Sequence, residues 1–170
     1  MKAQYLGHVV FYVEDLDRSL AFYRDLLGFQ EIGRAFAGKA AALTSGRTHH
    51  ELLLIEVGPE HDTRPPQARR DAPLPGATRP ARTRRDGSPS PGFYHIGIKI
   101  GDSLDELRQA KAELDRAGIP IGGMSDHTVS QSLYLHDPDG NEVELYVDAD
   151  PSIWNRDPAA VLTPTKPLRL

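Results

Sequence analysis

An internal repeat constrains this chain more than any other feature of it. Residues 7–13 read Gly7-His8-Val9-Val10-Phe11-Tyr12-Val13, an apolar run of strand character, and Asp15 then opens a stretch with Leu16, Leu20, Tyr23 and Leu27 at helical spacing that stops at Gly28. Residues 94–100 repeat the plan as Tyr94-His95-Ile96-Gly97-Ile98-Lys99-Ile100, with Ser103 as the cap, Leu104, Leu107, Ala110 and Leu114 as the apolar stripe, and Gly118 as the stop. Three short strand-like runs follow each helix, over 30–35, 40–44 and 50–57 in the first copy and over 119–121, 132–135 and 142–147 in the second. The turn Asp137-Pro138-Asp139-Gly140-Asn141 precedes the last of them. Strand, helix and three strands, twice over, predict an α+β domain of two βαβββ modules. Module one covers 4–58 and module two 92–150, with a tail over 151–170, in a single domain of 1–170.

The two copies are separated by a segment of different composition. Gly58 to Pro91 holds 8 of the 14 prolines and 7 arginines against 4 acids, so it carries a local charge of +3 within a chain of net charge −4. No hydrophobic period survives there and proline removes backbone donors, which predicts a flexible Pro/Arg-rich linker over 59–91. The mild net charge speaks against a nucleic-acid binder. No run of 18 apolar residues reads as a membrane span, and the N-terminus lacks a signal-peptide pattern, so a cytoplasmic protein is expected. Cysteine is absent, which excludes disulfides, thiolate metal sites and a cysteine nucleophile. Seven histidines stand instead at 8, 49, 50, 61, 95, 127 and 136.

Strand side chains alternate faces, so parity tests which polar groups share an interior. His8, Val10 and Tyr12 share one face of the first strand, and His95, Gly97 and Lys99 share the matching face of its copy. In the last strand Glu142, Glu144 and Tyr146 lie together, opposite Val143, Leu145 and Val147. A curved sheet collecting His8, His95 and Glu144 would present two imidazoles and one carboxylate to a common point. That facial set leaves coordination positions open and favours iron(II) or manganese(II) over closed zinc. Glu142 shares the parity of Glu144, and an exposed charged face is the competing reading for both. His50, His127 and Tyr134 are polar where apolar residues would serve, and beside a cation they could move protons near neutral pH. Taken alone they read equally as surface, turn and ordinary strand residues.

The segment from His8 to Phe29, with Asp15-Leu16-Asp17-Arg18-Ser19 at its centre, and the segment Tyr134 to Tyr146 around Asp137-Pro138-Asp139-Gly140-Asn141 resemble the vicinal oxygen chelate superfamily. That superfamily contains glyoxalase I, the fosfomycin and bleomycin resistance proteins and the type I extradiol dioxygenases. The resemblance implies paired βαβββ modules forming one domain whose curved mixed sheet surrounds a metal. Arg47-Thr48-His49-His50-Glu51, Phe93-Tyr94-His95 and the run Asp126 to Tyr134 resemble the extradiol, catechol 2,3-dioxygenase-like branch in particular. Carried over by position, His8, His95 and Glu144 would hold iron(II), or manganese(II) in its place. His50 would be the distal histidine that stabilises oxygen and passes a proton, while His127 and Tyr134 would flank the substrate hydroxyls. His49 is the neighbour most easily confused with His50, and the apolar strand that follows favours His50.

The implied reaction is cleavage of a catecholic ring beside its hydroxyls with insertion of both atoms of O2, and exposed module edges suggest a homodimer or higher homo-oligomer. One alternative is a glyoxalase-like metal-dependent isomerase or a thiol transferase. A glyoxalase draws a fourth ligand from the end of the first module, where the positions expected to face inward with His50 are Leu52 and Leu54; Glu56 keeps that parity later in the strand. Another alternative is a metal-free drug-binding resistance protein, which has no need of all three ligand-type residues.

Overall fold

In a parallel pair of strands the chain must cross from one end of the sheet to the other, and a capped amphipathic helix is the usual crossover. Both copies of the repeat use it. The structure, a computed structural model, describes residues 6–58, 93–148 and 150–170, and the expected linker over 59–91 lies outside them. The described residues fall into two compact units, one on each side of the Ala72–Pro73 boundary.

The first unit runs β1 (Val9–Val13), α1 (Leu16–Leu20), β2 (Gln30–Ala35), β3 (Ala40–Thr44) and β4 (Leu52–Glu56), in the sheet order β1-β4-β3-β2. β1 and β4 pair in parallel, and the other neighbours are antiparallel. Asp15 caps α1 as its spacing predicts, its carboxylate accepting from the Arg18 N–H at 2.9 Å. The next free amide, Leu16 N–H, donates to Glu56 Oε2 at 3.1 Å, which ties the start of the helix to the end of β4.

The helix itself departs from the simple 3.6-residue pattern. After Leu20 it widens into a π-helical segment, Ala21–Leu26, and Leu27 N–H donates to Phe22 O, five residues back. The wider turn brings Phe22 into the core beside Leu16, Leu20 and Tyr23 and leaves Leu27 only half-buried. Gly28 then ends it at φ +80°, a conformation costly for residues with a Cβ. Phe11, Val13, Leu52 and Leu54 meet this helix from the sheet and are buried, while Val10 and Tyr12 on the opposite face of β1 remain exposed.

The second unit runs β5 (His95–Gly101), α2 (Leu104–Arg116), β6 (Gly123–Asp126), β7 (Gln131–His136), β8 (Glu142–Val147), α3 (Ser152–Arg156) and β9 (Lys166–Pro167). Its sheet has the order β5-β8-β7-β6-β9, again with the first and last strands of the repeat parallel. Ser103 caps α2, accepting from Glu106 N–H while its own hydroxyl donates to Glu106 Oε2. Leu107 and Leu114 bury against Leu133, Leu135, Val143, Leu145 and Val147, the alternate residues of β7 and β8. Asp137 is buried in the turn before β8 and accepts from Asp139 N–H, Asn141 N–H and the Asn141 side-chain amide.

The strand expected over 119–121 does not form; Pro120 cannot donate to a ladder, and pairing begins only at Gly123, after Gly122 N–H has bonded Tyr134 O at 2.7 Å. The tail over 151–170 adds a fifth strand to the sheet, β9, through the antiparallel pairs Ser125–Pro167 and Asp126–Lys166. No helix among the described residues is long and apolar enough to cross a membrane.

Candidate functional site

In the first unit the candidate histidines His8 and His50, with His49, gather where β1 and β4 begin. Val9 N–H donates to Glu51 O at 2.9 Å, holding the approach to β4 against the start of β1. The rings of His8 and His50 meet there, with centroids 4.6 Å apart. The His49 ring lies tilted against His50 with centroids 4.5 Å apart, and the Nδ1 atoms of the two residues lie 2.6 Å apart. One of those nitrogens therefore donates and the other accepts. Desolvation pushes the His50 imidazole below its ordinary value, and the neighbouring His49 and His8 reinforce the shift.

His50 reaches His8 in a way that strand parity does not anticipate. Strict alternation would place it with Leu52 and Leu54, yet those two leucines are buried in the core. β4 starts only at Leu52, so His50 precedes the regular strand and is free of its alternation. The β4 positions paired with Val10 and Tyr12, on the His8 face, are Leu53 and Ile55. Of the acids nearby, Glu51 Oε2 accepts from Thr44 Oγ1–H and Ser45 N–H, with its Oε1 3.5 Å from Arg47 Nε, and Glu56 accepts from Leu16 N–H.

The second unit holds a denser cluster. β8 lies between β5 and β7, with Glu144 paired to Gly97 on one side and to Tyr134 on the other. The carboxylate stands beside β5 at residue 97, where a Cβ would lie 3.5 Å from Glu144 Oε2, an ordinary contact distance. That oxygen lies 3.2 Å from His95 Nε2. With metal–ligand bonds of about 2.1 Å, neighbouring octahedral ligands sit about 3 Å apart, so the pair suits two adjacent positions on one ion. The competing acid, Glu142, faces the other nitrogen: its Oε1 is 3.6 Å from His95 Nδ1, and both atoms are buried without a hydrogen-bond partner among the described residues. Among the described residues no group of three or more His, Asp or Glu side chains is arranged to hold a metal by itself.

The other oxygen of Glu144 is an acceptor for hydroxyls. Ser132 Oγ–H donates to Oε1 at 2.6 Å and Tyr134 O–H at 3.0 Å. Tyr134 in turn lies 2.7 Å from His127 Nε2, and His127 Nδ1 is 3.4 Å from Thr165 Oγ1. One proton order satisfies this line: Thr165 donates to Nδ1, Nε2–H donates to the phenol, and the phenol donates to Glu144. Burial, followed by the charge of Glu144, pushes the Tyr134 phenol well above the ordinary tyrosine range, so the hydroxyl keeps its proton.

His127 stands in a tight loop built around a left-handed residue. Thr128 has φ +71°, Val129 N–H bonds back to His127 O at 2.8 Å, and Asp126 holds the Thr128 N–H at 2.7 Å. Such a turn is strained for a β-branched residue, and here it aims the imidazole at Tyr134. Two partners, Ser132 and Thr165, are not among the residues singled out from the sequence. Ser132 was accessible through parity, since it lies two residues before Tyr134 on the same face. Thr165 carries no local signal, because only the pairing of β9 with β6 brings it to His127.

A family model described as Glyoxalase/Bleomycin resistance protein/Dioxygenase superfamily matches residues 5–145. The chain is 33% identical over 153 residues to a catechol-2,3-dioxygenase of Bacillus subtilis (strain 168), covering 90% of this chain and 45% of the relative. It is 29% identical over 146 residues to biphenyl-2,3-diol 1,2-dioxygenase 3 of Rhodococcus globerulus, covering 84% and 63%. The chain therefore spans less than two thirds of the length of these relatives. A lactoylglutathione lyase structure from Agrobacterium tumefaciens shares the fold with a TM-score of 0.57, over 88% of this chain and 97% of that one, at 24% identity.

Proposed function

This chain belongs to the glyoxalase/bleomycin resistance protein/dioxygenase superfamily, and on that premise we propose that it is an iron(II)-dependent extradiol dioxygenase inserting both atoms of O2 into a catecholic substrate. The observation that carries the reading is the Glu144 carboxylate, with one oxygen turned to His95 Nε2 and the other to a Tyr134–His127 pair. A binding protein needs no such division of one carboxylate between a ligand histidine and a proton-carrying pair. The similarity to the Bacillus subtilis catechol-2,3-dioxygenase supports the same substrate class.

In this reading His8, His95 and Glu144 would hold iron(II), or manganese(II), through nitrogen and oxygen donors. The ion, when bound, supplies open positions at which a catechol and dioxygen can be held together. Tyr134 O–H, kept protonated, donates a hydrogen bond to a substrate oxygen and orients it. His127 flanks the substrate hydroxyls, its Nε2–H directed at the phenol oxygen, and Thr165 stands on the far side of its ring. His50, whose imidazole desolvation pushes below its ordinary value, is the group beside His8 that would accept and return a proton. A glyoxalase-like isomerase is disfavoured because Leu53 and Ile55 occupy the His8 face of β4, and Glu56 serves the start of α1.

The reading is tested by loading the protein with iron(II) without air and then adding a simple catechol and oxygen. A yellow ring-opened product should form and should disappear in His95→Ala. Failure of the unaltered protein to take up metal overturns the proposal. Light scattering on the same sample reports whether the expected homo-oligomer forms.

A further inference from the structure

Ser132 belongs to the cluster around Glu144 but has no part in the reaction as described above. We propose that Ser132 is a positioning residue that fixes which oxygen of Glu144 faces the metal and holds it there when Tyr134 turns to the substrate. The inference rests on the reading of Glu144 as a metal ligand.

A carboxylate oxygen has two lone pairs, and Oε1 already takes two hydroxyl donors, from Ser132 at 2.6 Å and Tyr134 at 3.0 Å. His127 Nε2 stands 3.8 Å from the same oxygen. Oε1 is thus occupied, and Oε2, 3.2 Å from His95 Nε2, is the oxygen presented for coordination. A carboxylate bound through one oxygen leaves one more position for substrate than a bidentate one.

The two donors differ in what they can do. The Tyr134 hydroxyl is shared with His127, and orienting a substrate requires it to leave Oε1. Ser132 is fully buried, and its strand is paired on both sides, to Tyr146 on β8 and to Ser125 on β6. Its hydroxyl turns on a short side chain with little freedom to lose. Ser132 can therefore hold the carboxylate in one orientation through the whole cycle, as hydrogen-bonded partners of ligating carboxylates do generally.

The test is metal affinity of the full chain, read by anaerobic calorimetric titration with Mn(II), with a melting curve of the metal-free protein as control. Ser132→Ala should weaken Mn(II) binding by about 10-fold to 100-fold, Ser132→Thr should restore most of it, and Tyr134→Phe should change it by less than about threefold. If Ser132→Ala does not fold, Ser132→Cys, of similar volume and a weaker donor, takes its place with the same expected direction. Unchanged affinity in the folded variant, even with a lowered melting temperature, overturns the proposal, as does a Tyr134→Phe loss equal to that of Ser132→Ala. Glu144→Ala separates the two levels of inference: if it binds Mn(II) as tightly as the unaltered protein, the ligand reading itself fails.

Discussion

Tyr134 and Glu144 face each other directly across β7 and β8, and the phenol donates to Oε1 at 3.0 Å. The same carboxylate that receives this bond raises the cost of ionising the phenol, because phenolate and carboxylate would repel at that distance. Burial acts in the same direction. The pair is therefore a donor held in its donating form.

Replacing Tyr134 by Phe removes that donor and leaves the strand pairing intact. Under the proposed reaction, kcat should fall by about 100-fold. The phenol titrates above its ordinary value of 10.0, so the pH–rate profile below pH 10 should keep its shape in Tyr134→Phe. Steady-state kinetics from pH 6 to 10 check this, and a lost alkaline limb would contradict it.

His50 sits against His8 without being counted among the metal-holding residues. His50→Phe should retain bound iron at the level of the unaltered protein while turnover falls by about 100-fold or more. Metal analysis after desalting, beside a catechol assay, separates the two effects. Loss of iron would make His50 a ligand.

The start of α1 is held by two carboxylates with different sequence distances. Asp15→Ala removes the cap on Arg18 N–H and should cost about 1 kcal/mol. Glu56→Ala leaves Leu16 N–H without its acceptor and should cost about 1 to 2 kcal/mol, although Glu56 is 40 residues away in the chain. Urea unfolding of both variants measures the costs.

Glu31 bonds the guanidinium groups of Arg34 and Arg24 at 2.8 and 2.7 Å, which holds its carboxyl below the ordinary value of 4.5. The unfolded chain therefore binds this proton more readily than the folded one. The stabilisation is complete well above pH 4.5 and is lost as pH falls through the lower folded value. Both arginines are partly exposed, so the contribution is modest, about 0.5 to 1 kcal/mol. Glu31→Gln should lower the melting temperature at pH 7, and the difference should vanish in acid.

The repeat, the caps at Asp15 and Ser103, the stops at Gly28 and Gly118 and the alternation of β8 were all legible in the chain. Each depends on neighbours within one element, where periods of 2.0 and 3.6 residues and the rules of capping operate directly. The same alternation placed Glu144 with Glu142 and Tyr146 on one face of β8. Parity failed at His50, because it presumes a regular strand and the regular strand begins two residues later, at Leu52. Spacing also missed the π-helical widening after Leu20, which brings Phe22 into the core.

The sequence by itself determined two βαβββ units and the identities of the imidazoles and carboxylates that could serve a cation. Only the tertiary structure decided that Glu144 Oε2 meets His95 while Oε1 is held by Ser132 and Tyr134, and that Thr165, just before the last strand, reaches His127. Those contacts join separate segments of the chain, and their geometry is set by cross-strand register and by the pairing of β9 with β6. None of these is a property of a local stretch of chain.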